Sequence, residues 1–303
     1  MSFWDSFNTL NFEDNNVIKF FKMKKILHAT DFSKNAIPAL KYALNLSKKL
    51  DTSLFVIHVF DYPTIFDKDL KEPYINLEDK TYITQQNKLI NFCNSNYEGD
   101  LEEVDVSFEA IENKSIINGI IEKAKKLNAD LIITGTKSEK VLKEFLLGKT
   151  ALKLIEKAPC PVLTVPKGIC ASNIKTIVYA SDFEENDICA IYDLVHIAKP
   201  YEATIKIVHV SKKENSYVLQ KKSWFDQLLK EKIKYDKIDT QIIFSDNVFD
   251  SLKTYLKDEN ADMIAMLERD SKGIVKMLFH TDLVKKMESL GNIPLLSFNG
   301  HRM

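Results

Sequence analysis

Residues 24–60 read KKILHATDFSKNAIPALKYALNLSKKLDTSLFVIHVF, and residues 175–211 read KTIVYASDFEENDICAIYDLVHIAKPYEATIKIVHVS. The two stretches align without a gap. Lys24, Ile26, Ala29, Asp31, Phe32, Asn35, Ile37, Ala39, Lys48, His58 and Val59 each recur at the aligned position. A second ungapped match pairs 128–154 with 260–286, and here the copies part: Gly135 becomes Leu267 and Gly148 becomes His280. A fold written twice, with the differences falling on glycines, predicts one retained site and one lost site.

Each copy alternates short apolar runs with longer helical patterns. In the first, 26–30, 53–60, 104–111, 129–135 and 160–166 are short and β-branched. They are largely continuous runs rather than alternating ones, as expected for strands covered on both faces. Between them, 34–50 puts Ile37, Leu40, Ala43, Leu44, Ser47 and Leu50 on one stripe, with Ser33 as the expected N-cap. Residues 115–127 and 140–157 show the same period, and 61–75, with Pro63 and Pro73, is expected to be irregular. The order recurs in the second copy as TIVYA, TIKIVHV, TQIIF, ADMIAML and IPLLSF. Strand–helix alternation of this kind predicts βαβ units and a parallel sheet.

A chain of 303 residues suits two domains of about 150. The expected limits are 23–166 and 174–303, joined by a short linker at 166–174, with 1–22 as an N-terminal extension. That extension is rich in aromatic and aliphatic residues, so packing against the protein or a partner is expected of it. Residues 1–170 carry 23 basic and 23 acidic side chains, and the rest carries 19 and 20. Neither half has the excess charge of a nucleic-acid or anionic-membrane binder. No apolar run approaches the roughly 18–20 residues of a membrane span. The start lacks the layout of a signal peptide, so a cytoplasmic location is expected. The four cysteines show no metal spacing, and Cys160, in an apolar run, reads as a buried thiol.

Ligands of an open parallel sheet bind beyond the carboxyl ends of the strands, where the connections change direction. Two segments fall there: Ala29-Thr30-Asp31, and Gly135-Thr136-Lys137-Ser138 followed by nine residues and Gly148-Lys149-Thr150. Glycine lets backbone N–H groups approach an anion, and a following helix N-terminus adds a favourable partial charge. Lys137, Lys149 and the hydroxyls of Ser138 and Thr150 would complete a phosphate cradle.

At these residues the chain resembles the universal stress protein family, whose motif is G-x2-G-x9-G-(S/T). Here it reads Gly135-TK-Ser138-EKVLKEFLL-Gly148-KT, flanked by TDFS after the first strand, IHV at the end of the second and APCPVLTVP in the fifth. The resemblance implies an α/β fold of two Rossmann-like domains, each with a five-stranded parallel sheet of order 3-2-1-4-5. It also implies a tandem repeat packed as an internal pseudo-dimer. Asp31 would meet the adenine edge beside Ala29 and Thr30, and Val59 would flank the base. Gly135, Ser138, Gly148, Lys149 and Thr150 would surround ribose and phosphates, with ATP or AMP as the ligand and no metal site. Two departures stand out: serine replaces the middle glycine, and lysine follows the last.

The second copy keeps Asp182 but offers Leu267-Glu268-Arg269-Asp270 and His280-Thr281-Asp282, where the acids would repel phosphate. It reads as a degenerate partner. Competing readings are a scaffold that binds no nucleotide and a slow ATPase, for which Asp31 is the sole apparent base. A protein partner and a homodimer are left open. Gly148-Lys149-Thr150 is no P-loop, because position 143 is lysine. His58 and His209 read as hydrogen-bonded structural histidines rather than metal ligands.

Overall fold

The structure is a computed structural model. It describes residues 23–62, 74–136, 148–169, 173–268 and 293–299. The expectations for residues 1–22, for Lys137 and Ser138, and for Arg269–Asp270 and His280–Asp282 lie outside those residues.

The first half runs β1 (Lys25–Ala29), α1 (Ala36–Leu50), β2 (Ser53–Phe60), α2 (Tyr74–Asn96), β3 (Val106–Glu112), α3 (Ile116–Leu127), β4 (Leu131–Gly135), α4 (Lys149–Lys157) and β5 (Val162–Val165). The second runs β6 (Thr176–Ala180), α5 (Glu185–Tyr201), β7 (Thr204–Ser211), α6 (Ser216–Lys232), β8 (Ile238–Phe244), α7 (Val248–Asp258), β9 (Met263–Glu268) and β10 (Leu295–Asn299). The strands form one ten-stranded sheet, β3-β2-β1-β4-β5-β10-β9-β6-β7-β8. Each half therefore has the order 3-2-1-4-5 implied by the family resemblance.

Pairing is parallel within each half and antiparallel at the seam, where Leu295, Leu296 and Ser297 oppose Thr164, Leu163 and Val162. An uncovered β5 would leave a row of backbone donors and acceptors unpaired, and so would β10. Each half supplies what the other lacks. The helices lie on both faces. One core, under α1, α2, α5 and α6, runs through both halves, and a second, under α3, α4 and α7, does the same. Leu163 and Leu296 are fully buried in the first of these cores.

Short side-chain bonds fix the strand starts, again in duplicate. Asp130 Oδ2 accepts from the Lys24 and Lys25 backbone at 2.8 and 2.9 Å. Asp262 Oδ2 accepts from Lys175 and Thr176 at 2.7 and 2.9 Å. The outer rim at β3 is closed differently. Gln86 of α2 donates through Nε2 to the Phe108 carbonyl (2.9 Å), and its Oε1 accepts from the Ala110 amide (2.7 Å).

Two expectations need revision. Ser33 is not the N-cap of α1: Asn35 holds that position and makes no side-chain cap bond. The chain first turns through Phe32 in the left-handed region (φ 62°), which delays the helix by two residues. Tyr74, expected in an irregular stretch, opens the 23-residue α2. Of the predicted helix 140–157, the part from Lys149 is α4, and 140–147 is outside the described residues.

His28 on β1 is fully buried and carries a cost. Its Nδ1 lies 3.1 Å from the Ile133 carbonyl, which can only accept, so Nδ1 holds the hydrogen; Nε2 has no partner among the described residues. Burial drives its pKa from 6.5 down to about 4, against the opposing pull of the Ile133 bond and Asp31.

Two measurements follow from this architecture. Leu163→Ala and Leu296→Ala should each cost about 2–5 kcal/mol in urea unfolding. Because both cores span the seam, each variant should still unfold in one transition; two separate transitions would show that the halves are independent units. For His28, the folded pKa lies below the unfolded one. Its contribution is complete above pH 6.5 and is lost as pH falls toward 4, by about 3 kcal/mol in all. His28→Leu should flatten that part of the stability–pH curve, and an unchanged slope would assign the acid sensitivity elsewhere.

Candidate functional site

The connection after β1 turns to β2 and that after β4 turns to β5, so the gap beyond their carboxyl ends is the switch point of the first half. A cleft opens there. Ala29, Thr30 and Asp31 form its floor, Gly135 and Thr136 one side, and Gly148 and Thr150 the rim. Val59 and His58, from the end of β2, and Ile116 and Ile120, from α3, form the opposite wall. Among the predicted site residues, Ala29, Thr30, Asp31, Val59, Gly135, Gly148 and Thr150 thus come together. Lys149 is the first residue of α4 beside them.

Three helices point their N-termini at this space: Ala36 of α1, Ile116 of α3 and, through its N-cap Gly148, α4. A helix N-terminus presents free N–H groups and a positive partial charge. None of the three has an acidic residue in its first turn, and α4 begins with lysine. The cleft is therefore built to receive negative charge. Among its described lining residues the acid is Asp31, an exposed residue whose Oδ1 accepts from the Ser33 amide at 3.0 Å.

The glycines have different reasons for being there. A Cβ on Gly135 would stand 3.0 Å from the Asn35 carbonyl and 3.6 Å from Ala39 Cβ. So Gly135 lets α1 seat close to β4, which the sequence reading had assigned only to phosphate approach. Gly148 has φ −60° and ψ 155°, values open to any residue, so its lack of a side chain matters at the cleft rather than in the backbone. Gly119 was not foreseen. A Cβ there would reach within 2.8 Å of Val59, so Gly119 is what lets α3 close on the end of β2. Sequence periodicity marked 115–127 as a helix but not which strand end it would cover.

Among the described residues, the second half differs at the matching positions. Leu267 replaces Gly135 and is buried, and Asp187 replaces Ala36. The Asp187 carboxylate accepts from Tyr179 Oη (2.9 Å), Ser181 Oγ (2.7 Å) and the Glu184 amide (3.1 Å). Helix α5 carries Glu185 and Asp187 in its first turn, and α7 carries Asp250. Acids thus stand where the first half has none. Because β5 and β10 are antiparallel, the two carboxyl-end edges face opposite ends of the sheet. Asp31 and Asp182 cannot form a carboxylate pair.

His58 and His209 are hydrogen-bonded at matching positions, Nδ1 to the Thr30 carbonyl at 2.8 Å and to the Ser181 carbonyl at 2.9 Å. Among the described residues no group of three potential metal ligands occurs, and no helix is long and apolar enough to cross a membrane. Cys160 is buried, as its apolar run suggested.

Residues 22–166 match the sequence model of the universal stress protein family. A universal stress protein of Methanocaldococcus jannaschii is 31% identical over 150 residues, which is 48% of this chain and 82% of that protein. The chain belongs to the universal stress protein family. Its whole architecture also has solved counterparts. A universal stress protein from Archaeoglobus fulgidus covers 92% of this chain and 97% of its own at a TM-score of 0.64 and 17% identity. A functionally unknown protein from Pseudomonas aeruginosa covers 91% and 92% at 0.58 and 16%. At such identities these two show the fold alone, and they show it across both halves.

The packing of Gly135 gives a direct test. Gly135→Leu, which copies the second half, should place a side chain against the start of α1. It should cost about 1–3 kcal/mol by overpacking, with the chain still folded by circular dichroism. A variant as stable as the parent would mean that α1 yields freely at this contact.

Proposed function

We propose that this universal stress protein binds an adenine nucleotide, ATP or AMP, in the cleft between β1 and β4. In this reading 23–166 is the nucleotide-binding domain, 174–303 a degenerate domain that completes its sheet, and 1–22 an extension. The chain then acts as a nucleotide-responsive regulatory protein of the cytoplasm, with no metal of its own. The observation that carries the reading is the convergence of three acid-free helix N-termini on a cleft with an apolar wall. Phosphates suit the first feature and a base the second. Val59, Ile116 and Ile120 would pack on the base, and Asp31 would accept from its exocyclic amine. Gly148, Lys149 and Thr150 would face the phosphates, together with Lys137 and Ser138.

Calorimetry with ATP should give one site per chain, since acids and Leu267 stand in the second cleft. Two equivalent sites would remove the basis of the asymmetry. Asp31→Ala should lower the preference for ATP over GTP about tenfold, the weight of one hydrogen bond to a charged group, and leave affinity for GTP nearly unchanged. Equal losses for both nucleotides would reduce Asp31 to a turn residue. Gly148→Val should weaken ATP binding at least tenfold while the melting temperature moves little, because the backbone there tolerates any side chain. Undiminished affinity would place the phosphates elsewhere.

A further inference from the structure

One arrangement recurs in both halves although the clefts around it have diverged. After β1 the chain passes through Thr30, Asp31 and Phe32; after β6 it passes through Ser181, Asp182 and Phe183. Both phenylalanines adopt the left-handed conformation, at φ 62° and 54°. A side chain with a Cβ pays to sit there, of order 1 kcal/mol or more. Something must hold each in place, and in both halves the same three contacts do so. The hydroxyl of Thr30 accepts from the Phe32 amide (3.2 Å), as Ser181 does from Phe183 (2.8 Å). The histidine at the end of the next strand binds the carbonyl of that same hydroxyl residue. Its ring also lies against the phenylalanine, with centroids 4.0 Å apart for Phe32–His58 and 5.0 Å for Phe183–His209.

The chemistry of His58 is set by its partner. A carbonyl oxygen only accepts, so Nδ1 carries the hydrogen and donates. The imidazole therefore ties the end of β2 to the carbonyl of Thr30 and pins Phe32 with its face. Asp31 lies between these two anchors, so its backbone is held on both sides. Lys88 of α2 closes the stack from outside, 4.6 Å from the Phe32 ring centroid.

We propose that His58 is a positioning residue of the candidate site: by clasping Thr30 and Phe32 it holds the Asp31 carboxylate at the floor of the cleft, and so sets the choice between adenine and guanine nucleotides. This rests on the nucleotide reading above, and it gives a residue of the cleft wall a second role, exerted through Asp31. The second half supports the division of labour. There the clasp persists around Asp182, whose Oδ1 lies 4.0 Å from His209 Nδ1, while the neighbouring positions 135 and 36 of the first half have become the buried Leu267 and Asp187. The clasp is thus a loop-holding unit that persists where the residues at positions 135 and 36 have changed.

The experiment compares His58→Leu, His58→Asn, Asp31→Ala and the His58→Leu/Asp31→Ala double variant in the full chain. ATP and GTP affinities come from calorimetry. Amide exchange of Thr30, Phe32 and Ser33 is followed without nucleotide. His58→Leu should cut the ATP:GTP preference about tenfold, as Asp31→Ala does, and the double variant should lose no more than either alone. His58→Asn retains a donor that can reach the Thr30 carbonyl and should restore most of the preference. Additive losses, or a preference unchanged in His58→Leu, would overturn the proposal. Should the parent chain bind neither ATP nor GTP, the nucleotide reading fails and exchange decides the clasp. His58→Leu should then speed exchange at Phe32 and Ser33 at least tenfold, with recovery in His58→Asn. Unchanged exchange would overturn the clasp as well.

Discussion

The antiparallel pairing of β5 with β10 is the constraint on which the rest depends. A five-stranded parallel sheet of order 3-2-1-4-5 necessarily has strand five at one edge, and that edge is apolar and short of partners. Pairing two such edges antiparallel satisfies both, because the rotation that brings one onto the other also aligns their hydrogen-bonding groups. It joins the helix layers too, so each of the two cores becomes continuous across the chain. The same rotation sends the carboxyl ends of the two sheets in opposite directions. Two potential sites in one chain are thereby kept from cooperating through contact, and each is free to change alone.

Divergence of the clefts is best understood as a change in charge as much as in shape. In the first half the helix N-termini are left bare of acids, and their partial charges remain available to a ligand. In the second, Asp187 takes up the N-terminus of α5 and is itself saturated by Tyr179, Ser181 and Glu184. A buried carboxylate with three donors is stable where an empty, positively polarised pocket would need an anion. What Asp187 supplies internally, the first half leaves to be supplied from outside.

Much of this was legible in the sequence. The β-branched runs placed all ten strands to within about two residues, because strands buried on both faces have little freedom of composition. The repeat announced the pseudo-symmetry, and the family resemblance implied that the two halves pack as an internal dimer. Position 135 was legible as a glycine that matters. Its principal contact, the Asn35 carbonyl, was not, since it depends on where α1 begins, and α1 begins late because Phe32 turns left-handed. Sequence patterns carry no sign of a strained non-glycine residue. Gly119 and Ile116 were missed for a related reason: helical periodicity gives a face but not the strand end it meets. The duplicated D-F and H-V were visible as repeats, yet only the fold joins them into one contact.

The Gln86 side chain has a consequence for the molecule as an object in a crowded solution. A primary amide has the same donor and acceptor as a peptide group, so Gln86 stands beside β3 as a fragment of an eleventh strand. It occupies both the Phe108 carbonyl and the Ala110 amide, two groups a neighbouring chain would need for docking. Seam and rim therefore solve the same problem at different scales. At the centre, an open edge meets a whole strand and the sheet doubles. At the rim, it meets one side chain, and lateral growth into a fibre loses its first foothold there.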